Sequence, residues 1–130
     1  WTVKGIRLDD AEKLILKARD LRPDNGYVQD SWGWHLFVRG RVTEAVVELE
    51  KAVKLEPREA TIMEHLADAY ARSNLREKAL YHYNKALEYA KEDHLKGKIG
   101  GKIRVLEQEI ADGGKVSPTA ATPERKPASD

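Results

Sequence analysis

The feature that most limits what this chain can fold into is a repeat of 34 residues. Ala11, Ala45 and Ala79 stand one period apart, and so do Ala18, Ala52 and Ala86. Ile15, Leu49 and Tyr83 fill the matching place between them, and Pro23 and Pro57 keep the same step, which next lands on Lys91. The two alanines of each unit lie two turns apart and share one helix face. Small residues there let two backbones approach, and the large residue between them fills the space alongside. The proline stops the helix, because it has no N–H and its ring clashes with the preceding turn. Such units cannot bury their apolar faces singly and do so by stacking.

Composition agrees with helices. Among 130 residues, 41% are hydrophobic and 35% charged, with one Phe and five Pro. Ala, Leu, Glu, Lys and Arg dominate, and these are helix formers. With 23 basic and 22 acidic residues the net charge is +1, which gives no electrostatic ground for binding nucleic acid or a membrane surface. No cysteine is present, so disulfides, thiol catalysis and cysteine-based zinc sites are excluded. No apolar run approaches the ~20 residues of a membrane span. The chain begins at Trp1 without an initiator Met, which reads as part of something longer.

The periodicity predicts helices near 9–22, 26–39, 42–55, 60–73 and 76–91. Gly40 and Asn74, one period apart, mark turns that need a left-handed residue. Lys91, standing where Pro is expected, predicts that the fifth helix runs on. A sixth helix, 94–111, is expected from Leu95, Ile99, Ile103, Leu106 and Ile110, and it suits a cap over the last repeat. Beyond Gly113-Gly114 the sequence is rich in Ser, Thr, Ala and Pro, the composition of a flexible tail.

Gln29-x2-Trp32-Gly33-x2-Leu36, then Ala45-x3-Leu49 and Pro57, resembles the tetratricopeptide repeat. Met63-x2-Leu66-Ala67-x2-Tyr70, then Ala79-x3-Tyr83, resembles it again, and Ala11-x3-Ile15 with Ala18 and Pro23 matches its second half. Gln29 and Lys91 depart from the pattern. The resemblance implies an all-α fold: a right-handed solenoid of helical hairpins with a C-terminal capping helix. The expected organisation is a domain over 1–111, with a partial repeat at 5–25, full repeats at 26–59 and 60–93, a cap at 94–111, and a tail at 112–130. The stretches Gly5–Ala11 and Pro23–Trp34 are similar to the C-terminal ends of long bacterial multi-repeat proteins. That implies a periplasmic or outer-membrane-associated setting, with the cytoplasm as the alternative.

Three constellations suggest chemistry, and in each the spacing is wrong. His35, His65, His82 and His94 lack zinc-site spacing and are expected to be partly exposed helix residues, although a cross-helix set of His65, Asp68 and His82 is conceivable. Asp30, Ser31 and His35 have the residue types of a triad, with no strained turn to present the nucleophile. Lys96–Lys102 lacks the first Gly and the final Ser or Thr of a phosphate loop. The expectation is a protein with no catalysis, no cofactor and no metal.

Beside the core stripe Gln29, Trp32, Gly33 and Leu36 runs a second stripe of Tyr27, Asp30, Trp34 and Phe37. Thr61, Glu64, Asp68 and Ala71 match it one repeat later, and Leu95, Lys98, Lys102 and Val105 match it on the sixth helix. By resemblance this stripe faces a concave peptide-binding groove. The expected groove residues are Tyr27, Asp30, Trp34, Phe37, Thr61, Glu64, Asp68, Lys98 and Lys102, turning from aromatic to acidic to basic. Trp34 and Phe37 could instead pack against the helix that the first repeat lacks. The ligand class that presents a terminal carboxylate is disfavoured, because acidic and aromatic residues occupy its Lys and Asn positions. Carboxylates beside aromatics suit an extended peptide with apolar and basic side chains, such as the tail segment Thr122–Pro127.

Two functions are compatible with these features: a scaffold or adaptor that binds a protein segment in the groove, or a structural end-cap of a longer solenoid. The first repeat has lost a partner helix. Its face over Leu14, Ile15, Ala18 and Leu21 is expected to be covered by self-association or by Trp1–Ile6 folding back.

Overall fold

The structure, a computed structural model, describes residues 2–113, with side chains from Asp9 onward. Six helices follow one another: α1 (Thr2–Leu21), α2 (Gly26–Val38), α3 (Val42–Leu55), α4 (Ala60–Arg72), α5 (Arg76–Tyr89) and α6 (Asp93–Ala111). The described residues contain no strand, and no helix among them is long and apolar enough to cross a membrane.

The helices pair as a helical-repeat solenoid. α2 forms a hairpin with α3 and α4 with α5, α3 packs on α4, α1 on α2, and α6 on α5. The alanine ladder explains the close approach: Ala45, Leu49, Ala52, Ala79 and Ala86 are wholly buried. Gly33 sits so close to α3 that a Cβ added to it would come within 2.7 Å of the Leu49 side chain. Gln29, Trp32 and Leu36, with Met63, Leu66, Ala67 and Tyr70 one repeat later, complete the core. Ile99, Ile103 and Leu106 extend it beneath α6.

The hairpin turns repeat in detail. Gly40 and Asn74 both have positive φ, 84° and 63°, as their turns require. In each, the next residue donates from its N–H back across the turn: Arg41 to the Leu36 carbonyl and Leu75 to the Tyr70 carbonyl, both at 2.9 Å. Asn25 caps α2 by accepting from Tyr27 N and Val28 N at 2.9 and 3.0 Å.

Three expectations need correcting. The first helix starts at Thr2, not near residue 9, so residues 2–6 continue α1 and do not fold back on it. α5 does not run on through Lys91. It ends at Tyr89, one period after Leu55 ends α3, and Ala90 is extended and buried. Without a proline the stop is set by packing: the chain must turn there to lay α6 over α5. The histidines are not uniformly part-exposed, since His35 is buried.

Candidate functional site

The expected groove stripe gathers on α2, α4 and α6. Ridges one turn apart on α2 bring Trp34 and Phe37 together as stacked rings with centroids 4.7 Å apart. Trp34 also stacks on His65 of α4 at 4.1 Å, and Arg72 of α4 lies over the Phe37 ring at 5.4 Å. Both aromatics are half-buried between the two helices, so they rivet one repeat to the next. Asp30 closes this seam with its carboxylate 2.8 Å from His65 Nδ1.

The acidic and basic parts of the stripe face each other. Lys102 donates to Glu64 Oε2 at 2.7 Å and to both Asp68 oxygens at 3.0 and 3.1 Å. Lys98 stands 3.5 Å from Glu64. Tyr83 donates its hydroxyl to Asp68. Glu64 is 1% exposed, so its carboxylate is a buried group held by two lysines. Burial alone would lower the Lys102 pKa, but hydrogen bonds and charge from Glu64 and Asp68 outweigh it and raise the net value. Burial, with the charge of Asp68 and the hydrogen bond to it, drives the Tyr83 hydroxyl well above its ordinary range. The carboxylates expected to recruit basic ligand side chains therefore already have partners inside the chain.

Thr61 and Tyr27 stand apart from this network. Both are exposed, and Tyr27 donates to Glu59 at 2.9 Å. The tail segment Thr122–Pro127 lies outside the described residues. Ser31 is exposed while His35 is buried with Nε2 3.1 Å from Glu12, so the triad-like residues are not assembled. Among the described residues no three acidic or histidine side chains gather as a metal site.

An open groove lies between α4, α5 and α6. One depression of about 510 Å³ lies over Ala71, Tyr83, Lys102, Val105 and Leu106. A second, of about 350 Å³, runs from Phe37 past Asp68 and Arg72. They share Ala71, Tyr83, Lys102 and Glu109 and so adjoin. Val105, 54% exposed, gives the groove an apolar wall, and at the far side Arg76 Nε faces Glu109 at 3.5 Å. Sequence reasoning placed Lys102 and Asp68 here but missed Tyr83 and Glu109. Tyr83 reads as a core position in the alanine ladder, and it is buried there with its hydroxyl bonded to Asp68.

A family model described as bacterial transcriptional activator domain matches residues 11–111. No curated protein gives a significant match to the chain.

Proposed function

The chain belongs to the bacterial transcriptional activator domain family, and from that premise we propose that it is the protein-interaction module of a transcriptional activator, a helical scaffold with no chemistry of its own. The observation that carries this reading is the groove over Ala71, Tyr83 and Val105, whose charged rim is neutralised internally. A neutral rim around apolar surface favours a protein segment with apolar anchors over a highly charged ligand. The tetratricopeptide-like use of such a groove supports the same occupant. Function in transcription would also locate the protein with DNA, in place of an exported setting.

Site-directed photo-crosslinking in the source cell tests this. With p-benzoylphenylalanine at Val105, we expect adducts that map to one segment of a partner protein and vanish when Ala71→Glu is added. The same label at exposed Thr43 on α3, outside the groove, should give none. Equal labelling from both positions, or none from Val105, would leave the end-cap role instead. The purified chain should show no salt-dependent affinity for duplex DNA, the mark of phosphate contacts.

A further inference from the structure

The charges around the groove balance in pairs, with one exception. Lys102 and Lys98 answer Glu64 and Asp68, and Arg76 stands 3.5 Å from Glu109. Arg72 lines the same groove at its Phe37 end and is exposed. Among the described residues its guanidinium forms no ion pair and donates no hydrogen bond; its contact is with the Phe37 ring.

The fold does not call for a cation there. Arg72 is the last residue of α4, and one period earlier the last residue of α2 is Val38, 54% exposed. A cation at a helix C-terminus meets the helix dipole favourably, but that sets no direction for its head group. A run of ring contacts does. His65 stacks on Trp34 at 4.1 Å, Trp34 on Phe37 at 4.7 Å, and the guanidinium carbon of Arg72 lies 5.4 Å from the Phe37 ring centre. A ring contact uses none of the N–H donors. Arg72 is thus held in place with a planar fork of donors left over, the geometry that a carboxylate fits. Beside it the groove continues over Ala71 to the apolar wall at Val105.

We infer that the groove selects a protein segment with an Asp or Glu side chain, which pairs with Arg72, beside a large apolar residue, which lies over Ala71 and Val105. The inference rests on the groove being the interaction site and names what that site takes. One acidic residue suits a rim that is otherwise neutral. Basic ligand side chains find no open carboxylate, since Glu64, Asp68 and Glu109 each have a cation of this chain beside them. The chain's own tail has the wrong chemistry: Arg125 and Lys126 directly follow Glu124, and no Val, Leu, Ile, Met or aromatic residue follows Val116.

The probe is a phage-displayed library of random peptides selected on the whole chain. We expect peptides with Asp or Glu close to a large apolar residue, and none of them should bind Val105→Glu. Arg72→Glu alters an exposed position, so the fold should persist, and selection on it should exchange the acid for Lys or Arg. In the best peptide, changing the acid to its amide should weaken binding about tenfold or more, and should change nothing in Arg72→Gln. Peptides that need Val105 but show no acidic preference, or one that survives Arg72→Glu, would overturn the inference and leave the groove as the interaction site. Peptides indifferent to Val105→Glu, or no peptides, would overturn both. A Lys115–Asp130 peptide that binds as tightly as the selected ones, or a dimer that buries Val105 and excludes them, would also overturn it, since the occupant would then be the tail or a second copy.

Discussion

Leu49 in α3 is fully shielded from solvent, while Ile15, one period earlier in α1, is half-buried beside a Leu14 that is 69% exposed. The charged links of the two ends differ in the same way. Arg39 of α2 reaches Asp9 at 2.8 Å and Glu12 at 3.3 Å across the α1 seam, and Asp9 is 65% exposed. Lys102 of α6 reaches Glu64 at 2.7 Å, and the Glu64 side chain is 2% exposed. A ladder position has no fixed energetic weight. Its weight comes from how many helices close over it, and the same holds for an ion pair.

If that comparison is right, the largest effect belongs to the core leucine. Leu49→Ala should cost about 2–5 kcal/mol. Ile15→Ala should cost less than half as much, since part of its face already meets water. Denaturant unfolding of both variants measures this, and equal losses would show that α1 is covered after all.

A smaller effect is expected for the charges. Lys102→Met leaves Glu64 and Asp68 without their main cation and should cost on the order of 3 kcal/mol, at the low end for a buried pair because Lys102 is partly exposed. Adding Glu64→Gln should recover most of the loss. Arg39→Met should cost about 1 kcal/mol or less, as exposed pairs do. A loss from Arg39→Met as large as that from Lys102→Met would break the comparison.

The smallest effect is a pH dependence confined to the C-terminal half. Tyr83 and Lys102 both hold their protons more tightly when folded, above their ordinary values of 10.0 and 10.5. Their contribution is therefore complete below about pH 10 and is lost as the pH rises through the folded values. Denaturant unfolding should show stability that holds up to about pH 10 and falls as the pH rises further. Tyr83→Phe should reduce that response.

The 34-residue period by itself determined that α1 to α5 are helices and where the turns at Gly40 and Asn74 fall, though not where α1 begins or α5 ends. Proline, glycine and asparagine act through backbone sterics, and an Ala ladder allows only close helix packing, so these features are local and legible. Gly40, Asn74 and the buried Ala45, Leu49 and Ala52 all stand where the pattern puts them. The stripe on α2, α4 and α6 was legible as a set of positions, and its electrostatics were not. That Glu64 and Asp68 meet Lys102 depends on where α6, packed on α5, comes to lie beside α4, more than 30 residues away in the chain. Tyr83 was assigned to the core by period, but only the packed structure aims its hydroxyl at Asp68. The end of α5 at Tyr89, without a proline, was likewise decided by the turn into α6. The exposure of Leu14 and Leu21 has the same origin. Periodicity records which side chains share a face, but burial and charge compensation are properties of what lies opposite, and only tertiary structure supplies that.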